Sequence, residues 1–308
     1  MKHMKSSRFY PQTQLMIQCI PFVAQESCFA LKGGTAINFF VRDMPRLSVD
    51  IDLTYLPLEP RDTALANISS ALNRISDRIK KSIPGSKVLE TKAKGGPRVT
   101  KLVVAAKNEV ITIEPNEVLR GSVFSPSERK LSKKAESLFA MSARIVVLDL
   151  SDLYGGKLCA ALDRQHPRDI FDVKLLLENE GITDQVRKAF IVYLASHDRP
   201  INELIDPTRK DIKKLFETNF DGMTDTPVSL KDLLDVRETY ITRLKAELTQ
   251  DERNFLLSLK QGQPQWDLLG VKGLDQLPAV QWKLQNIRKM SKDKHQQQIG
   301  YLKKKLGL

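Results

Sequence analysis

The sequence predicts an α/β (α+β) protein in two parts: a domain built on a small mixed sheet over residues 1–145, then a mainly helical domain over residues 146–308. Two observations lead there. Short runs rich in Val, Ile and Thr occur only in the first half, where they alternate with helical patterns. In the second half the apolar residues recur at spacings of three and four, in segments bounded by Pro, Gly or capping residues.

Residues 11–26 open the chain as an amphipathic helix, with Leu15, Ile17, Ile20, Phe22 and Val23 as its apolar positions. Residues 29–31 form a short strand feeding a Gly33-Gly34 turn, and residues 36–41 a short helix whose N-terminus lies at Gly34-Thr35. A strand carrying Asp50 and Asp52 follows. Leu65, Ile68, Leu72, Ile75 and Ile79 give residues 63–83 one buried helical face, which Pro84-Gly85 ends. Residues 100–106 and 109–114 form a hairpin about the two-residue turn Lys107-Asn108. The polar stretch 122–142 reads as a loop plus a surface helix ahead of the domain boundary. Helices are then expected over residues 151–163, capped by Ser151, and over 169–180, 183–195, 209–216, 230–248 and 252–260.

With 308 residues, of which 41% are hydrophobic and 28% charged, the chain can bury a large core and is neither a disordered nor a membrane-spanning type. The formal net charge of +12 points to a polyanionic partner, because basic surface attracts phosphate backbones through its field and through counterion release. Between residues 283 and 305 stand eight Lys or Arg against one acid, Asp293, beside Trp282 and Tyr301. Such a segment can hold RNA by phosphate contact and stacking, and a solvated helical face has the same composition. Cys19, Cys28 and Cys159 are scattered in apolar contexts without metal-ligand spacing, so each is expected to be a small buried hydrophobe in a reducing cytoplasm. Gln18 and Pro21 interrupt the apolar stretch 15–24, and no segment reaches the roughly 20 apolar residues a bilayer requires. Neither secretion nor a membrane partner is expected.

The chemistry concentrates in Leu31-Lys32-Gly33-Gly34-Thr35 and Arg46-Leu47-Ser48-Val49-Asp50-Ile51-Asp52-Leu53. Residues at i and i+2 of a strand share a face, so Asp50 and Asp52 point together while Ile51 and Leu53 face the core. Two carboxylates this close repel unless a cation lies between them, and magnesium shared with substrate phosphates is the usual answer. The Gly-Gly-hydroxyl turn ahead of a short helix suits a triphosphate, since a helix N-terminus offers N–H groups and a positive dipole end. Alone, either half is a common structural device. In this order and spacing they are those of a nucleotidyltransferase. Glu114 ends a hairpin strand expected beside the Asp strand. It is either an exposed strand-end glutamate or a third carboxylate that holds a metal or takes the proton of an attacking hydroxyl.

A second constellation lies in the helical half. Lys157 and Arg164 share a face of one helix, and Asp169 and Asp172 share a face of the next, which Pro167 opens. Lys157 stands among Gly155, Gly156, Leu158 and Ala160, an odd setting for a merely solvated lysine. It can neutralise a triphosphate with Asp172 orienting it, while Arg164, Arg168 and Asp169 read as a salt-bridge lattice between the two helices.

Together the blocks Lys32-Gly33-Gly34-Thr35-Ala36, Arg46-x-Ser48-x-Asp50-Ile51-Asp52-Leu53 and Lys157-Leu158 through Arg168-Asp169-x-x-Asp172 resemble the AbiEii/AbiGii toxin family, nucleotidyltransferases of the polymerase β superfamily. Thr35 stands where the wider superfamily has Ser. The resemblance implies a polymerase β-like nucleotidyltransferase domain and a helical domain contributing Lys157 and Asp172 to the cleft. It implies a toxin of a bacterial toxin–antitoxin or phage-abortive-infection pair, neutralised by a cognate antitoxin. Its activity would be Mg2+-dependent transfer of NMP from an NTP to an RNA hydroxyl, the tRNA 3′ end foremost. Nucleotide contacts fall to Gly33, Gly34, Thr35, Ser48 and Lys157. Metal ligation falls to Asp50 and Asp52, with Glu114 as the third carboxylate on the strand reading above rather than from a family motif, and catalysis to these three with Lys157 and Asp172. The rivals are transfer to a protein or small-molecule hydroxyl, a kinase-like phosphotransfer, and a non-catalytic RNA-binding module.

Overall fold

Alternating apolar and polar residues place the strands of the first half into one sheet. The computed structural model describes residues 2–308. Its first unit runs α1 (Lys2–Lys5), α2 (Tyr10–Val23), β1 (Phe29–Lys32), α3 (Gly33–Ala36) continued by a π-helical turn Ile37–Val41, β2 (Asp50–Tyr55), α4 (Arg61–Ser82), β3 (Lys87–Lys92), β4 (Val99–Ala106), β5 (Glu109–Asn116), β6 (Ser127–Lys130), α5 (Lys133–Phe139) and β7 (Arg144–Val147). This unit spans Met1–Asp149 and takes back the segment Asp221–Pro227, of which the sequence gives no sign.

The seven strands lie in the order β3-β4-β5-β2-β1-β7-β6. β2 is antiparallel to β1 and parallel to β5, and β1 is parallel to β7, so the sheet is mixed as expected. Ile51 and Leu53 of β2, Leu102 and Val104 of β4, and Ile111 and Ile113 of β5 are fully buried on one face. Helix α4 lies against β3 and β4, where Ile68, Leu72, Ile75 and Ile79 bury its apolar stripe. The β4–β5 hairpin turns at Lys107 (φ 48°) and Asn108 (φ 68°), the paired positive φ of a tight two-residue hairpin.

Three strands lie outside the expected set. β3 is an edge strand of alternating half-exposed residues, β6 is the polar tetrapeptide Ser-Glu-Arg-Lys, and β7 joins the sheet through the non-local pair Leu31–Val147. None of them carries a long apolar pattern, and two of the three fall in or next to the stretch read as loop and surface helix.

The second unit, Leu150–Phe220 with Val228–Leu308, consists of α6 (Leu150–Arg164), α7 (Pro167–Glu178), α8 (Asp184–Ser196), α9 (Ile201–Leu204), α10 (Lys213–Asn219), α11 (Leu230–Glu247), α12 (Gln250–Lys260), α13 (Pro278–Arg288) and α14 (Lys292–Leu306). Thr183, Ser229 and Thr249 cap α8, α11 and α12, the last two as reciprocal capping boxes with Asp232 and Glu252. Two expectations need correction. Ser151 is no cap, because α6 already begins at Leu150. α10 starts later than residue 209, because Arg209 pairs with Glu238 and the Lys210 N–H donates to buried Gln165, which holds that segment out of a helix. The cysteines are unbridged, and Cys28 is half-buried rather than buried. Burial pushes the Cys19 thiol up to about 12.

Candidate active site

The corner between β1 and α3 builds the first part of the site. β1 ends at Lys32, whose register partner is Asp52, and the chain then turns at Gly33 with φ +73°. A Cβ on Gly33 would stand 2.5 Å from Asp52 Oδ2, and one on Gly34 would stand 2.5 Å from Arg46 Nη2 and 3.2 Å from Ser48 Oγ. Only glycine at both positions lets the start of α3 come this close to the carboxylate and to Arg46. Arg46 is itself buried and donates to the Leu47 carbonyl at 2.8 Å. The segment ahead of β2 is braced by the returning chain, through an Arg46–Thr224 bridge and a 2.9 Å bond from Leu47 N–H to Met223 O.

Asp50 and Asp52 are both partly exposed on the face opposite Ile51 and Leu53. Asp50 Oδ1 accepts from Thr112 Oγ1 at 2.9 Å, and Thr112 is its register partner on β5. Asp52 is flanked in register by Lys32 on one side and Glu114 on the other. Glu114 does stand beside the Asp strand. Its carboxylate is half-exposed and lies 2.9 Å from Lys101 Nζ on β4.

Thr35 takes a different part from the phosphate contact its hydroxyl suggests. Oγ1 is buried, donates to the Asp50 carbonyl at 2.5 Å and lies 3.0 Å from Ser48 Oγ. The hydroxyl thus ties α3 to β2. The first-turn N–H groups of α3 point outward by helix geometry and remain the donors a phosphate would meet.

Two hard carboxylates on one strand face, with no side chain at Gly33 to fill the space beside Asp52, suit a small divalent cation. Among the described residues no group of three or more His, Cys, Asp or Glu is gathered to hold a metal unaided. The donor set therefore fits an ion that completes its shell with substrate phosphate and water, which is how magnesium is usually bound.

The second cluster belongs to the helical unit. α6 ends at Arg164, Gln165 takes φ +51°, and His166 caps α7 by accepting from Arg168 N–H, so α7 doubles back along α6. Lys157 Nζ then lies 2.9 Å from Asp169 Oδ1 and 3.0 Å from Asp172 Oδ2, and Arg164 Nη2 lies 2.8 Å from Asp169 Oδ2. Lys157, Asp169 and Asp172 are all buried. Burial alone would raise the Asp169 carboxyl, but the charges of Lys157 and Arg164 and the Lys157 hydrogen bond hold it well below the ordinary carboxylate range. The salt-bridge lattice expected of Asp169 is present, and Lys157 and Asp172 are members of it. Arg46, Thr112 and Lys101 make contacts around the corner that the sequence does not announce. Arg46 lies inside the quoted motif, whereas the bonds of Thr112 and Lys101 depend on strand register.

A glycine corner thus lies against paired strand carboxylates on a mixed sheet, and the class of enzyme this chain represents is a nucleotidyltransferase. More narrowly, the chain belongs to the AbiEii nucleotidyl transferase toxin family of type IV toxin–antitoxin systems, whose family model matches residues 14–286. Among solved structures it is similar to MenT4, a nucleotidyltransferase toxin from Mycobacterium tuberculosis H37Rv, with a TM-score of 0.62 over 93% of this chain and 97% of that one. At 13% identity that likeness concerns the fold. A search of curated protein sequences gives no match. Nucleotidyltransferases of this kind take an NTP and generally use divalent metal ions, and membership of a toxin–antitoxin family implies an antitoxin partner. Among the described residues no helix is long and apolar enough to cross a membrane.

Proposed function

We propose that the protein is a Mg2+-dependent enzyme that transfers NMP from an NTP to an RNA hydroxyl, with the tRNA 3′ end as acceptor. The observation that carries this reading is the Gly33–Asp52 corner, which sets helix N–H donors and two carboxylates side by side. In the reaction the acceptor oxygen bonds to the α-phosphorus, the bond to the β-phosphate oxygen breaks, and pyrophosphate leaves. The Gly33, Gly34 and Thr35 N–H groups contact the phosphates, with Ser48 supporting that turn. Asp50 and Asp52 hold magnesium, which supplies positive charge to the phosphates when bound. Glu114 receives the proton of the attacking hydroxyl, with Lys101 positioning its carboxylate. Lys157 and Asp172 are assigned to the reaction by family resemblance, and the two are paired at 3.0 Å in a buried cluster.

The net charge of +12 favours RNA over a small or protein acceptor. The physiological setting we infer is a cytoplasmic toxin whose transfer to tRNA arrests translation, as in phage defence, until its antitoxin relieves it. The test is incubation with each α-³²P-labelled NTP, magnesium and total tRNA, alongside an Asp50→Ala, Asp52→Ala control. Label entering tRNA with wild type alone supports the reading. Label entering only protein or small molecules overturns the acceptor, and release of nucleoside diphosphate without labelled product overturns the reaction.

A further inference from the structure

Helix α14 concentrates positive charge and an exposed aromatic ring on its outer side, and of its lysines Lys305 pairs with Asp206. Residues 287–308 hold seven Lys or Arg and one acid, a net of +6, so a short C-terminal stretch carries half of the chain's net +12. The arrangement is ordered. Lys294, Gln297, Tyr301 and Lys304 follow one another at spacings of three, four and three, which places them along one side of α14, and all four are exposed. That stripe is about 15 Å long at 1.5 Å per residue. The Gln297 side-chain amide donates to Tyr301 Oη at 2.9 Å and steadies the ring, which is 49% exposed. On the inward side His295 bonds the Lys260 carbonyl of α12, and Leu302 and Leu306 are buried.

Helix stability does not account for this. Lysines at the C-terminal end suit the negative pole of a helix, but Lys292 and Lys294 flank Asp293 in its first turn, where the positive pole favours the acid and disfavours the two lysines. An external anion relieves that repulsion. The outward stripe contains no aliphatic side chain, so it offers little to a lipid interior or to an apolar protein interface. Cations flanking an exposed ring, with an amide beside it, are what a sugar–phosphate chain with stackable bases requires. α14 also lies beyond residues 14–286, the part that matches the family model, so the feature belongs to this chain rather than to the matched family core.

We propose that α14 is an RNA-anchoring surface, binding the phosphate backbone through Lys294 and Lys304 while Tyr301 stacks on a base. It extends the proposed function by naming a grip on RNA separate from the Asp50–Asp52 corner, and the two can fail independently. The experiment is anisotropy titration of the full chain against a fluorescein-labelled single-stranded RNA of mixed sequence, without nucleotide, over a range of salt. Wild-type affinity should fall as salt rises. Lys294→Glu with Lys304→Glu should weaken binding at least tenfold and lower the salt slope by about 1.4, at ~0.7 per lost contact on a single strand. Tyr301→Ala should weaken binding about fivefold and leave the salt slope unchanged, because stacking releases no counterions. All three positions are exposed, and the milder pair Lys294→Gln, Lys304→Gln checks that any loss follows charge rather than folding. Unchanged RNA affinity in the charge-reversed protein overturns the proposal. So does binding of that same stripe to phosphatidylglycerol vesicles in place of RNA.

Discussion

Each unit holds a pair of aspartates, and the two pairs live in opposite surroundings. Asp50 and Asp52 stand partly exposed on a sheet face beside a turn kept free of side chains, and Asp50 is steadied by a neutral hydroxyl. Asp169 and Asp172 are buried between two helices, with Lys157 clamped to both and Arg164 to one. The first pair faces solvent, where phosphate and a cation can reach it. The second cannot change partners without stranding a buried charge, which is expensive. Carboxylates of the same type thus stand in two settings: one pair partly open to solvent on the sheet face, the other locked in a buried cluster that ties α6 to α7.

If that contrast is right, substitutions should separate activity from stability. The largest effect is expected at Asp52→Ala. Nucleotidyl transfer should fall by about 10³-fold or more, a loss in keeping with removal of a major electrostatic contribution, while the melting temperature stays within a few degrees of wild type. Next comes Gly33→Ala. It forces a non-glycine residue to φ +73° and drives a methyl to 2.5 Å from Asp52 Oδ2, so activity should drop roughly a hundredfold, with about 1–3 kcal/mol of stability lost. Steady-state kinetics with a parallel thermal melt measure both.

Lys157→Met should show the reverse emphasis. It leaves Asp172 buried without its lysine and removes one of two cations on Asp169, so about 3–5 kcal/mol should be lost and the melting temperature should fall by ten degrees or so. A Lys157→Met protein as stable as wild type would break the comparison. The smallest effect concerns acid. The Asp169 carboxyl is held below its ordinary range, so it binds protons more weakly folded than unfolded. Its stabilising contribution is full above the ordinary carboxylate pKa and is lost as pH falls below about 4 towards the folded value. In Asp169→Asn the drop in melting temperature between pH 5 and pH 2 should be shallower than in wild type, as scanning calorimetry would show.

How much of this was legible in the sequence follows from how local each signal is. The Lys107-Asn108 turn and the alternation on either side of it announce the hairpin, and the i, i+2 rule puts Asp50 and Asp52 on one face. Helix α4 is plain from five aliphatics on one stripe. The role of Thr35 was not legible, because a hydroxyl after two glycines looks the same whether it faces a phosphate or the Asp50 carbonyl. Only the approach of α3 to β2 decides it. The polar strand β6 and the bridge from Arg46 to Thr224 escaped for a related reason: both depend on pairing partners distant in the chain. The spacing of Lys157, Asp169 and Asp172 was legible. That Lys157 engages both carboxylates depends on the turn at Gln165, whose positive φ no residue type there foretells.

The central claim is that the Gly33–Asp52 corner binds a divalent ion together with the nucleotide. Its most direct test is a Mn2+ titration followed by electron paramagnetic resonance, with and without a non-hydrolysable NTP, on wild type and Asp52→Asn. Nucleotide-dependent Mn2+ binding in wild type that disappears in a folded Asp52→Asn protein is the expected result. Equal Mn2+ binding by both proteins would contradict the assignment and place the metal away from this corner.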